Sequence, residues 1–353
     1  MQRDRARVHA RVTCTCTYTI LLALLCATAN AGVLHDIAND IAAKLAALRA
    51  SHGPKPPVPV AVKWHPVKLT PSFELGAPIV ALAAGDLDGD GKPELYAVTT
   101  REVIAFAVTD HHVKELARVP FAGDVAVPAP RDPVGAAVIE GRTLVASSSA
   151  FVHGLRVSWR GRQLAGDMGA PGIELCAGEH VPLAAGRDYF GDDKAGEGPP
   201  RSTAEGGAKV NDKAGYYGVR CADLADPAGH VLRVRATLGL TGKLDVAVAR
   251  CEGDACQRTS DVAIAKAGTA FELADLDRDG RPEVIFASAN APGEPDDVRV
   301  VTVGEDDHKT KLKKTFSAGG VAALAVGDFD GAPAIIAAVR LVGSTRVDLW
   351  RMN

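Results

Sequence analysis

The apolar positions of the chain fall into three regimes. A continuous run, Ile20-Leu21-Leu22-Ala23-Leu24-Leu25-Cys26-Ala27, comes first. Next, Leu34, Ile37, Ile41, Leu45 and Leu48 recur at steps of 3, 4, 4 and 3, the spacing that lines one face of a helix. This predicts a short amphipathic helix within residues 32–52, ended by Ser51-His52-Gly53-Pro54, and then a stiff proline-rich linker over 53–59. From Val60 onward the helical period disappears. Short alternating runs rich in valine take over, punctuated by Gly, Asp and Pro, so residues 60–353 are expected to be all-β.

One phrase recurs inside that β region. Ile79-Val80-Ala81-Leu82-Ala83-Ala84-Gly85-Asp86-Leu87-Asp88-Gly89-Asp90-Gly91-Lys92-Pro93-Glu94 is echoed by Ala270-Phe271-Glu272-Leu273-Ala274-Asp275-Leu276-Asp277-Arg278-Asp279-Gly280-Arg281-Pro282-Glu283. A worn third copy runs from Val321 through Asp328-Phe329-Asp330-Gly331. Repetition of a phrase at tens of residues signals a repeat architecture. Each copy opens a module of strand, acidic loop, strand, turn, strand, turn and outer strand, which is the plan of a propeller blade. Modules begin near Pro78, Asp124, Gly172, Gly268 and Gly320, at steps of about 46, 48, 96 and 52 residues. The long step contains a polar, Gly-rich stretch, residues 186–218, that reads as an insertion. Five blades are then expected, with six as the alternative if that step hides two. In this reading the third blade takes Ile173–Cys176 as its first strand. The last module stops after three strands, and Val67–Phe73 has the character of an outer strand with no module before it. An N-terminal strand that completes the last blade closes the ring and removes its open edges.

The acidic loops carry the clearest chemistry. Asp86, Asp88 and Asp90 place three carboxylates on one side of a tight loop, and Glu94 returns at the ninth position. Hard oxygen ligands at that density suit Ca2+, with the backbone carbonyl of Lys92 as a further ligand. The second set is Asp275, Asp277, Asp279 and Glu283, with the carbonyl of Arg281. An EF-hand needs a glutamate at loop position 12, where this chain has Ala97 and Phe286, and it needs helices rather than strands on both sides. The third loop has Ala332 at position five and Ile336 at position nine, and is not expected to hold an ion.

These phrases resemble FG-GAP (VCBS) repeats, the blade motif of integrin-α-like propellers and of many exported bacterial proteins. The resemblance covers two good copies and one decayed copy. It implies calcium at the blade loops and recognition of a protein or glycan at the propeller surface. Some relatives with similar blades are lyases, so a polysaccharide-acting enzyme is the alternative function. A structural subunit of an envelope assembly, held by the 32–52 helix, is a third.

The remaining features narrow the setting. Arg3, Arg5, Arg7 and Arg11 precede the first apolar run and Ala29-Asn30-Ala31 follows it, so residues 1–31 read as a signal peptide for export to the periplasm, cell surface or medium. Its removal takes four arginines and one aspartate and moves the formal charge from −3 to −6. No remaining stretch has the ~20 apolar residues of a membrane span. No basic block stands out to neutralise phosphates, which argues against nucleic acid. Four cysteines stay behind, an even set for an oxidising compartment: Cys251 and Cys256 bracket a short turn, leaving Cys176 with Cys221. A zinc site is the rival for these, and C-x4-C without a nearby histidine fits it poorly. No nucleophile elbow, P-loop or dinucleotide fingerprint is present. The histidine clusters His111-His112 and Glu179-His180 read as surface residues, and the run His308–Lys314 as lysines guarding an outer edge. The insertion gathers Tyr189, Phe190, Tyr216 and Tyr217 beside charged groups, in a chain that is only 5% aromatic, and is the candidate ligand-binding surface.

Overall fold

The computed structural model describes residues 58–353 except 122–133, 149, 152–153, 171–172, 177–178, 182–215, 227, 240, 254, 291–293, 305–307 and 342–345. Within 168–217 it describes the strand backbone alone. These residues belong to one unit, Pro56–Asn353. The expected leader, the 32–52 helix and most of the linker lie outside the described residues.

Five antiparallel sheets form a five-bladed propeller, and the described residues contain no helix. Blade 1 is β3 (Ile79–Gly85), β4 (Glu94–Thr99), β5 (Glu102–Val108) and β6 (Val113–Pro120). Blade 2 is β7 (Gly135–Glu140), β8 (Thr143–Ser148), β9 (Gly154–Arg160) and β10 (Gln163–Ala170). Blade 3 is β13 (Tyr216–Ala225), β14 (Val231–Gly239), β15 (Leu244–Glu252) and β16 (Ala255–Ile264). Blade 4 is β17 (Ala267–Ala274), β18 (Glu283–Ser288), β19 (Asp296–Val303) and β20 (His308–Phe316). Blade 5 combines β21 (Gly319–Phe329), β22 (Ala332–Leu341) and β23 (Arg346–Met352) with β1 (Pro66–Lys68) from the other end of the chain.

The expected closure is present. Pro66 pairs with Met352 and Lys68 with Trp350, and β2 (Phe73–Glu74) continues along the same strand, with Phe73 opposite Val347. Between β1 and β2 the chain leans on blade 1, where the Thr70 N–H donates to the His111 carbonyl. One expectation is corrected. Ile173–Cys176 is not the first strand of blade 3; it is β11, paired only with β12 (Glu179–Val181) in a separate hairpin, and β13 takes the inner position. The inner strands adjoin in sequence, β17 and β3 flanking β21, β7 beside β3 and β13 beside β17, while β11 touches both β7 and β13.

The core lies between blades, which explains the sequence pattern. Middle strands are covered on both faces, so β4 and β18 are buried at every position and read as unbroken apolar runs. Outer strands such as β6 have a wet face and alternate. Among the described residues four buried clusters join blades 1 and 5, 1 and 2, 3 and 4, and 4 and 5. Aromatics are spent there: Tyr96, Phe106, Phe271 and Phe286 are each no more than 1% exposed.

Candidate metal centre

In every blade the first link, between the inner strand and the second, falls on the same rim. In blades 2 and 5 it is a two-residue hairpin. The worn third copy is therefore no loop at all: Asp330 and Gly331 turn with φ of 56° and 80°, the doubly positive geometry that Asp-Gly favours in a hairpin. Blades 1 and 4 carry the long acidic loops there.

The two loops share most of a hydrogen-bond skeleton. Asp86 accepts from the Gly89 and Gly91 N–H groups at 2.6 and 2.9 Å, and Asp275 accepts from Asp279 and Gly280, both at 3.0 Å. Lys92 and Arg281 donate their main-chain N–H to Asp90 and Asp279. Glu94 and Glu283 each reach back to receive the N–H of the residue after the first aspartate, Leu87 or Leu276. Gly89 sits at φ 81°, where an added Cβ would meet the Arg142 guanidinium at 2.6 Å; its counterpart Arg278 accepts a φ of 54°. Arg142, from the turn of blade 2, donates to the carbonyls of Leu87 and Asp88 and braces the first loop.

The loops differ in how their charge is met. In the first, carboxylate oxygens of Asp86, Asp88, Asp90 and Glu94 all lie within 4.8 Å of one another. Among the described residues no cationic side chain pairs with them. Glu94 is buried, and burial raises its pKa; the charges of Asp88 and Asp86 push the same way, while hydrogen bonds from Tyr96 and Leu87 oppose it. Tyr96 Oη donates to Glu94 Oε2 at 2.6 Å and accepts from Trp159 Nε1 of blade 2 at 2.8 Å, which ties the glutamate to the next blade. The donor set is all oxygen, convergent and uncompensated, and it fits a hard divalent cation.

In the second loop, oxygens of Asp275, Asp277 and Glu283 converge in the same way, and Asp279 stands outside that group. Here Lys311 enters. Its Nζ lies 2.5 Å from Asp277 Oδ2, 2.8 Å from Glu283 Oε1 and 3.9 Å from Asp279. Thr302 adds a second donor to Glu283 Oε1. Burial pushes the fully enclosed Glu283 carboxyl up to about 7, and the Lys311 hydrogen bond is the largest effect pulling it back. For Lys311 burial works against the charge, but the bonds to Asp277 and Glu283 outweigh it and hold the amine as an ammonium. In blade 5, Asp328 pairs with Arg278 and Asp330 with the buried Arg351.

The other candidates lie apart from these loops. Cys251 and Cys256 are bonded as expected. Cys221 is also in a disulfide; the side chain of Cys176 lies outside the described residues. Tyr189 and Phe190 lie outside them as well, and Tyr216 and Tyr217 open β13 with side chains that are likewise outside. A small cavity near the inner strands is lined by backbone and apolar groups with Arg220 and Glu272, which pair at 3.1 Å, and by no histidine. His111 and His112 sit at the turn between β5 and β6, and on β20 Lys313 pairs with Asp297 and Lys314 lies over Trp350. No described helix is long and apolar enough to cross a membrane.

No family model matches the chain, and no curated protein matches it. Solved structures do. A triple arginine-to-alanine variant of AofleA from Arthrobotrys oligospora is 12% identical, with a TM-score of 0.41 over 82% of this chain and 86% of that one. BBS1N, solved in complex with ARL6DN, is 13% identical, with a TM-score of 0.39 over 83% and 97%. A Thermus thermophilus protein named as an oxidoreductase (glucose dehydrogenase) is 12% identical, with a TM-score of 0.38 over 82% and 100%.

Proposed function

We propose that the protein is an exported, calcium-binding propeller of the FG-GAP (VCBS) kind that serves as a binding or scaffolding module for a protein or glycan in the periplasm or at the cell surface. One observation carries the metal assignment: four carboxylates of the first loop converge within 4.8 Å, and no described cationic side chain answers them. A divalent ion there neutralises the cluster and pins the link between β3 and β4. The leader at 1–31 and the Cys251–Cys256 bond support an oxidising destination. Absence of histidine from the described cavity lining gives the lyase alternative no specific support.

The test is thermal unfolding of the mature chain with calcium and with chelator. If the loop binds with a Kd of about 0.1 mM, about 1 mM calcium adds roughly 1.4 kcal/mol, a rise of a few degrees. An unchanged midpoint, in wild type and in D88N alike, defeats the assignment. A glycan and envelope-protein binding screen then tests the recognition role.

A further inference from the structure

The two acidic loops are near copies in backbone, yet among the described residues only the second has a cation paired with its carboxylates, since Arg142 meets the first loop at the Leu87 and Asp88 carbonyls. The difference at the carboxylates traces first to a position on the outer strand. In blade 4, Val300 pairs with Leu312 and Val301 with Thr310, so Lys311 is the extra residue of a β-bulge. A bulge re-aims its side chain out of the strand's alternation. Lys311 thereby leaves the row of lysines along β20 and reaches the loop. Blade 1 has a bulge at the matching register: Ala105 pairs with Ala117 and Phe106 with Glu115, so Leu116 is its extra residue. The match follows through the neighbouring strand, where Leu95 lies opposite Phe106 as Val284 lies opposite Val301. Leucine, 43% exposed, holds in blade 1 the place that lysine holds in blade 4.

The rest of the surroundings differ in the same sense. Both Thr302 and Lys311 donate to Glu283 Oε1. In blade 1, Ala107 follows Phe106 where Thr302 follows Val301, and neither Ala107 nor Leu116 has a side-chain donor. Glu94 receives its contacts from Leu87 and Tyr96 on Oε2.

We infer that the Lys311 ammonium is the resident cation of the second acidic loop, and that the outer-strand bulge residue, leucine in blade 1 and lysine in blade 4, decides which loop takes a divalent ion. This rests on the calcium assignment of the first loop for the claim about Leu116, and stands without it for Lys311. Calcium can enter the second loop only by displacing an amine from Asp277 and Glu283 and by tolerating its charge nearby. Substituting Lys311 with Leu, the residue found in blade 1, removes two charge-assisted hydrogen bonds and opens the loop.

Equilibrium dialysis of the mature chain against calcium, up to about 1 mM, counts bound ions. The expected counts are one for wild type, two for K311L, none for L116K and one for the double variant. Calcium affinity at the second loop should rise at least about 100-fold in K311L, the scale of the lost bonds. Two ions on wild type overturn the inference, as does a K311L count no higher than wild type, or an L116K protein that keeps its ion. None on wild type with one on K311L defeats the first-loop assignment and upholds the role of Lys311. Circular dichroism checks folding, K311M stands in if K311L does not fold, and D88N in the wild-type background gives a count independent of Lys311 substitution: none supports the inference, and a remaining ion overturns it.

Discussion

Replacing Tyr96 with Phe tests whether the first loop is wired into the joint between blades 1 and 2. Tyr96 has no exposed surface, and its hydroxyl bridges Glu94 and Trp159 at 2.6 and 2.8 Å. Its pKa lies above the ordinary phenol value, first through burial and then through the Glu94 hydrogen bond, so it remains a donor across the working pH range. Y96F opens no large cavity, because the ring is retained. It costs a bond to a carboxylate, about 1.5–3 kcal/mol, and a neutral one to the indole, about 0.5–1.5 kcal/mol, since both partners are left short in a place poor in water. The sum is about 2–4.5 kcal/mol, which in a unit of this size lowers the unfolding midpoint by roughly 3–7 °C. Urea unfolding followed by circular dichroism, in chelator so that no ion contributes, gives the value directly. In a double-mutant cycle W159F should lose most of its own cost once Tyr96 is gone, with a coupling of about 1 kcal/mol. A Y96F cost below about 0.5 kcal/mol, or strict additivity with W159F, refutes the bridge.

Further outcomes follow from other contacts. R351M should cost about 1–3 kcal/mol in urea unfolding, below the range for a fully buried pair: Asp110 and Asp330 are 71% and 49% exposed and rehydrate when the guanidinium leaves, and the buried Phe329 carbonyl loses its donor. Burial works against the Asp226 carboxylate, but hydrogen bonds from the His230 side chain and from the His230 and Ala228 N–H groups hold its pKa below 3.8. That stabilisation is present above 3.8 and is lost as pH falls through the depressed value, so the stability gap between wild type and D226N should narrow from pH 7 toward about pH 3 and fail to narrow if the carboxylate is not held. Replacing Cys251 and Cys256 with serine together should cost about 2 kcal/mol, the scale for so short a closed loop, measured by urea unfolding without reductant.

Fold and loops were legible for definite reasons. Unbroken apolar runs such as Leu95–Val98 announce strands covered on both faces, and the Asp-x-Asp-x-Asp-Gly phrase fixes the position of the first link in blades 1 and 4. Closure by β1 could be read because the chain holds both an orphan outer strand and a blade lacking one. The third blade misled because its inner strand, β13, begins with Tyr-Tyr-Gly after a long polar stretch, whereas Ile173–Cys176 offers a short apolar run of ordinary strand length. Local pattern cannot tell a blade's inner strand from a hairpin strand beside it.

Lys311 was invisible for a different reason. In sequence it is one of several lysines in an alternating run on an outer edge, and alternation alone places it facing water with its neighbours. What takes it out of that row is a one-residue register slip against β19, a property of two strands together that neither displays alone. The same slip in blade 1 presents a leucine, so the carboxylates of loops with nearly the same backbone have different side chains beside them. On the proposed reading, the acidic phrase specifies a cage and its occupant is set by a residue some thirty positions away on the outermost strand of the same blade. Reading such repeats for metal requires the outer-strand bulge residue together with the loop.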